Sequence, residues 1–150
     1  MKQLVRTTFP DAPQLTVEEL EQLLAGNSQQ TLLIDVRDPS EYAVSHLPGA
    51  HCAQGQDLER RIKTSAESYV VVLYCSVGYR SSKAAQKLRE LGWSRVYNLE
   101  GSIFEWANKG NSLVQGGPAS QTPSHVVHPF DDHWGQLLDP ELHSYEPLSP

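Results

Sequence analysis

Lysine and arginine are absent from residues 111–150, whereas Asp131, Asp132, Asp139, Glu141 and Glu146 all fall there. Five of the six net negative charges therefore belong to this tail, and the residues before it are nearly neutral. No basic patch is available to neutralise phosphates, so nucleic acid is not an expected partner. Long apolar runs are missing too. No stretch approaches the roughly 20 residues that span a bilayer, and the start from Met1 to Arg6 lacks the apolar segment of a signal peptide. No membrane partner is expected, and a cytoplasmic location is the default. Cysteine is limited to Cys52 and Cys75, too few for a disulfide framework. That scarcity fits a reducing compartment and points to individual thiol chemistry.

What is present suits one domain with a real core: 150 residues, 39% hydrophobic and 20% charged. Val70 to Tyr74 is an apolar, β-branched run without alternation, the pattern of a central parallel strand covered on both faces. From Ser81 the period changes, with Ala84, Ala85, Leu88 and Leu91 at helical spacing and Gly92 as a stop. Between strand and helix lies the loop Cys75-Ser76-Val77-Gly78-Tyr79-Arg80-Ser81. Successive N–H groups in such a turn form an anion-binding nest, and the helix N-terminus adds partial positive charge. A thiolate at Cys75 would be stabilised there, since helix N-termini and nearby arginine favour the ionised sulfur. Gly78 permits the tight path, Arg80 adds fixed charge, and Ser76, Val77, Tyr79 and Ser81 complete a substrate-binding loop.

Along the chain, residues 1–13 read as a loosely held lead-in, because Pro10 and Pro13 discourage regular structure. Thr16 and Glu19 form a capping box for a helix from Val17 to Ala25. Thr31 to Val36 reads as a strand, and Asp38-Pro39-Ser40-Glu41 opens a short helix. Ala50 to Ala53 is a short edge strand holding Cys52, whose expected role is structural packing. A weak helix spans Asp57 to Lys63, a last strand spans Arg95 to Leu99, and Ser102 with Glu105 suggests another capping box. Strands alternating with helices over residues 14–110 argue for a parallel sheet covered on both faces. Residues 111–150 combine a linker-like run at 116–124 with apolar residues. Phe130, Trp134, Leu137 and Leu138 fall at helical spacing, so the tail is expected to pack on the domain or on a second copy. His125, His128 and His133 match no metal-ligand spacing, and no metal or cofactor is expected.

Four pieces in order give the chain a family likeness: Leu33-Ile34-Asp35-Val36-Arg37 with Glu41-Tyr42, Ser45-His46-Leu47-Pro48-Gly49-Ala50, the Cys75 loop, and Asn98-Leu99-Glu100-Gly101-Ser102 leading to Trp106. With these, the sequence resembles the rhodanese-like sulfurtransferases. The resemblance implies a three-layer α/β/α rhodanese-like fold with a five-stranded, mainly parallel sheet. It also implies that Arg37 and Glu41 pair to brace the loops, with Asp35 supporting them. Two positions depart from the family pattern: Ser45 replaces a Gly before the His, and Ser102 replaces the second Gly of a Gly-Gly pair.

The implied chemistry is transfer of a sulfane sulfur from thiosulfate or a protein persulfide, through a Cys75 persulfide, to a thiol or cyanide acceptor. One rival is a cysteine-dependent phosphatase of the related fold. By family resemblance such enzymes carry one more residue between Cys and Arg, because phosphoryl oxygens need a wider cradle. Here four intervene. The other rival is a non-catalytic interaction module, which the presence of Cys75 disfavours. His46, in its turn, is expected to make a backbone hydrogen bond.

Overall fold

In the computed structural model, described for residues 1–27, 30–65, 68–117 and 119–149, a five-stranded parallel sheet carries helices on both faces. The elements are α1 (Lys2–Thr8), β1 (Gln14–Leu15), α2 (Val17–Asn27), β2 (Thr31–Asp35), α3 (Pro39–Val44), β3 (His51–Cys52), α4 (Gly55–Lys63), β4 (Val70–Tyr74), α5 (Tyr79–Glu90), β5 (Val96–Leu99) and α6 (Ser102–Asn108). An antiparallel pair, β6 (Leu113–Gln115) and β7 (Thr122–Ser124), follows, then two 3₁₀ turns at Trp134–Leu137 and Pro140–Leu142. Strand order is β1-β5-β4-β2-β3. The unalternating run of β4 is central, as its composition requires, and short β3 with Cys52 lies at an edge. The fold expected from the sequence is present.

Thr16 and Glu19 do form their capping box: the Thr16 N–H donates to Glu19 Oε1 at 3.0 Å, and the Glu19 N–H donates to Thr16 Oγ1 at 3.1 Å. The expected box at Ser102 and Glu105 does not form. Gly101 occupies the N-cap in the left-handed region, and the Ser102 hydroxyl is used elsewhere.

The lead-in is not irregular. α1 places Val5, with Phe9 and Ala12 just beyond it, into one face of the core, an i, i+4, i+7 stripe. Both prolines lie after the helix has ended, so they never interrupt it. β1 was also unexpected; its two residues pair with Asn98 and Leu99 of β5. The described residues of the tail form no α-helix. Phe130 adopts φ +69°, the segment turns through the 3₁₀ element, and Leu137 points outward while Val126, Val127 and Leu138 are buried. The linker-like run includes Pro118, which lies outside the described residues.

Two apolar clusters lie on the two faces of the sheet. One joins Val72 and Tyr74 of β4 to Leu113, Val127 and Leu138 of the tail. The other joins Val71, Leu73 and Cys75 to Val5, Phe9 and Ala12 of the lead-in. Among the described residues no helix is long and apolar enough to cross a membrane.

Candidate active site

The carboxyl ends of β2 and β4 bring Asp35, Arg37 and Cys75 to one end of the sheet, where parallel folds place their sites. Cys75 follows β4 directly and is fully buried. Its loop is anchored from behind by α6: the Ile103 and Phe104 N–H groups donate to the carbonyls of Cys75 and Ser76, both at 3.1 Å. The Ser102 hydroxyl accepts from the Cys75 N–H at 3.2 Å and donates to the Leu99 carbonyl at 2.9 Å. Gly78 N–H donates to Cys75 Sγ at 3.2 Å. The N–H groups of Ser76, Val77, Tyr79 and Arg80 find no acceptor among the described residues, as at any helix start.

Gly78 sits at φ +99°, and a Cβ there would lie 3.2 Å from Asn98 Nδ2, so conformation and space both demand glycine. Ser102 is at φ +52°, the region its family-typical glycine would occupy freely. The serine accepts a strain of order 1 kcal/mol and supplies a hydroxyl to the Cys75 amide that glycine lacks. Ser45, the other departure, has extended backbone that any residue adopts, and its carbonyl accepts from Arg37 at 2.7 Å.

The expected pairing of Arg37 with Glu41 is corrected by the structure. Arg37 is fully buried and grips Asp35: Nε is 2.9 Å from Oδ1 and Nη2 is 2.7 Å from Oδ2. Two residues apart across the end of one strand, these side chains meet before Arg37 can reach α3. Burial works against the Arg37 charge, but the Asp35 carboxylate outweighs it and holds the guanidinium protonated. Glu41 instead takes Arg80 in a bidentate pair, both contacts at 2.9 Å, and Ser76 Oγ joins at 2.9 Å from Arg80 Nη2. Burial pushes the Glu41 carboxyl up, yet Arg80 prevails and the carboxyl lies below its usual range. Glu41 thus braces the loop from outside it through Arg80 and Ser76, while Asp35 and Arg37 pair with each other at the end of β2.

The Arg80 guanidinium is therefore neutralised, and the Phe130 ring covers it at 4.5 Å. Tyr79 lies between Phe9, edge-on at 5.0 Å, and Trp134 at 6.2 Å. Both terminal segments thus reach the loop. Beside it opens a groove of about 220 Å³ bordered by Val77, Phe104, Leu137 and Met1.

Ser81 Oγ stands 3.2 Å from Cys75 Sγ and 2.5 Å from Asn98 Oδ1. Asn98 was read only as part of a motif; its place beside Cys75 depends on strand order, which no local pattern reveals. His46 Nδ1 meets the Tyr42 carbonyl at 3.1 Å and the ring stacks on Tyr42 at 3.7 Å, while burial lowers its basicity. Cys52 is half-buried on β3, with its sulfur 3.3 Å from Gln54 Nε2; burial pushes this thiol up. His128 bonds the Phe130 N–H at 3.0 Å and packs on Tyr145.

The chain is similar to known proteins. The family described as the rhodanese-like domain matches residues 16–109. A protein named sulfurtransferase from Allochromatium vinosum is 36% identical over 97 residues, 65% of this chain and 90% of that protein. An uncharacterized protein of Bacillus subtilis is 37% identical over 89 residues, 59% of this chain and 70% of its own. The solved structure of a human single-domain sulfurtransferase superposes with a TM-score of 0.55 at 29% identity, covering 67% of this chain and 99% of that one. The chain belongs to the rhodanese-like domain family.

Proposed function

We propose that the protein is a sulfurtransferase that carries a sulfane sulfur on Cys75. The observation that supports this most directly is a loop whose Gly78 N–H donates to Cys75 Sγ and whose one arginine is committed to Glu41. Such a cradle offers dipoles sized for one anionic sulfur. The Cys75 thiolate attacks the outer sulfur of the donor; an S–S bond forms at Cys75 as the donor's S–S bond breaks, and its electron pair leaves with the residue. With thiosulfate, sulfite departs. The persulfide's terminal sulfur is then taken by a thiolate or cyanide, and the electron pair of the breaking S–S bond returns to Cys75 Sγ.

The committed Arg80 also bears on the donor. Among the described loop residues no other side chain is charged, so a small dianion is held by dipoles alone. A protein-bound or weakly charged persulfide is the better donor, and thiosulfate turns over inefficiently. The same pairing weighs against a phosphatase, which needs its arginine on the phosphoryl oxygens. The cellular setting fits a reducing cytoplasm, where thiols are kept reduced. Of the tail residues that an oligomer would use, Leu138 is buried in its own chain, and Phe130 and Trp134 are half-buried beside Arg80 and Tyr79.

The test is intact-mass measurement after incubation with thiosulfate, 3-mercaptopyruvate and a protein persulfide. One added sulfur on the wild-type chain, absent in Cys75→Ser, is expected, fastest with the protein persulfide. No sulfur from any donor, or hydrolysis of p-nitrophenyl phosphate, overturns the reading. Val77→Arg is expected to lower the apparent KM for thiosulfate.

A further inference from the structure

Behind Cys75 runs a chain of four neutral polar side chains. Ser81 Oγ contacts both Cys75 Sγ at 3.2 Å and Asn98 Oδ1 at 2.5 Å; Asn98 Nδ2 donates to Gln14 Oε1 at 2.6 Å. Gln14 Nε2 faces Ser82 Oγ at 3.1 Å and the Ala12 carbonyl at 3.4 Å. Cys75, Ser81, Ser82 and Asn98 are fully buried, and Gln14 closes the chain from β1, where it pairs with Asn98 across the strand register.

The polarity of this chain is fixed from its far end. A backbone carbonyl accepts and never donates, so the Ala12 carbonyl requires the Gln14 NH₂ beside it and turns Gln14 Oε1 toward Asn98. Asn98 must then offer its NH₂ to Gln14, which leaves its Oδ1 facing Ser81. The Ser81 hydroxyl has one proton and two suitors. When Cys75 is a thiol, both are served: S–H donates to Ser81 Oγ, and Ser81 O–H donates to Asn98. When Cys75 is a thiolate, the sulfur can only accept. The hydroxyl must either leave the sulfur with Gly78 N–H as its hydrogen-bond donor or turn to it and strand a buried carbonyl, at a cost comparable to a lost hydrogen bond.

We infer that Asn98 is a positioning residue: by holding the Ser81 proton, it favours the proton-bearing form of Cys75 and restrains the free thiolate. On the sulfur-transfer reading above, the persulfide's inner sulfur carries no charge, so the hydroxyl returns to Asn98 once sulfur is loaded. Asn98 thereby also favours the loaded enzyme over the empty thiolate.

The charged groups around Cys75 do not duplicate this role. Arg80 on α5 acts on the sulfur but is paired with Glu41 on α3, and Arg37 is paired with Asp35 at the end of β2. Lys2 and Arg6 of α1 are paired with Glu105 and Glu100, and His128 from the tail lies in the field of Glu41, Arg37 and Arg80. Asn98 and Ser81 are the uncharged contacts whose removal leaves these pairs standing.

The experiment is the rate of iodoacetamide alkylation of Cys75 against pH, read by intact mass in a Cys52→Ser background. It requires no sulfur transfer, so it stands or falls apart from the proposed function. Asn98→Ala releases the hydroxyl to the thiolate and is expected to lower the pH of half-maximal rate by roughly 0.5 to 1 unit, a three- to tenfold gain in thiolate. Ser81→Ala removes a hydroxyl already committed to Asn98, together with the acceptor of the thiol proton, and is not expected to raise it. In the Ser81→Ala background, Asn98→Ala is expected to add nothing, because it acts through Ser81. Gln14→Leu, at the half-buried edge, lets the Asn98 amide turn over and donate to Ser81; it is expected to shift the midpoint in the same direction as Asn98→Ala and decides the matter if that variant does not fold. A midpoint that is unchanged or raised in both Asn98→Ala and Gln14→Leu, or an Asn98 effect that persists without Ser81, overturns the inference.

Discussion

The two terminal segments complete opposite faces of one sheet by different means. The lead-in does so with side chains: α1 is short, and Val5, Phe9 and Ala12 drop directly into the cluster that holds Cys75. The tail adds backbone pairing to its buried Leu113, Val126, Val127 and Leu138. β6 pairs with β7 and bridges to His46, the Val127 N–H donates to the Leu142 carbonyl, and Asn108 holds both Leu137 and Asp139. A segment tied down by apolar anchors loses stability in steps as anchors are removed, whereas one tied by paired backbone loosens as a unit.

The largest effect is expected from cutting after Gly110. Leu113, Val126, Val127 and Leu138 would no longer be buried, and at about 1.5 to 3 kcal/mol for each fully buried side chain the melting temperature should fall by roughly 10 °C or more. A truncated protein that melts with the full-length chain breaks the comparison. Next is Phe9→Ala, expected to cost about 3 kcal/mol in denaturant unfolding and to disturb the loop through Tyr79. A smaller effect separates two changes at Ser102. Ser102→Gly loses the hydroxyl but relieves the strain, while Ser102→Ala loses the hydroxyl and keeps the strain, so the alanine variant should be less stable by about 1 kcal/mol. The smallest is the acid response of the Arg80–Glu41 pair. The Glu41 carboxyl lies below its ordinary value of 4.5 in the folded protein, so its contribution is present above that pH and is lost as pH falls through the lower folded value. Thermal melts should show the wild type losing stability more steeply than Glu41→Gln below pH 4.5.

The middle of the chain was legible because its signals are local. The unalternating apolar run of β4, the Thr16–Glu19 box and the change of period after the loop each describe their own neighbourhood, and together they fix layers and strand type. The ends were harder. The Val5, Phe9, Ala12 stripe was masked by prolines that lie outside the helix, and the helical spacing of Phe130, Trp134 and Leu138 belonged to a segment whose backbone turns at Phe130. In the site, composition and spacing singled out Cys75, Gly78 and Arg80. The partner of each charge was not legible, because Arg37 and Arg80 had two carboxylates within plausible reach and only side-chain length and strand direction chose between them. Asn98 beside Ser81 followed from the placing of β5 next to β4, and Gln14 beside Asn98 from the pairing of β1 with β5, a contact between residues 84 apart.

That long-range pairing has a consequence for how the protein comes into being. Of the five strands of the parallel sheet β1 is made first and its partner β5 last, and closing a loop of that size costs about 4 kcal/mol of chain entropy. Contacts so distant along the chain form late and slow the approach to the native state. Until they form, Cys75 has neither its amide cradle nor the polar chain behind it, and it is an ordinary accessible thiol. The nascent protein is therefore most open to indiscriminate oxidation in the interval before β1 meets β5.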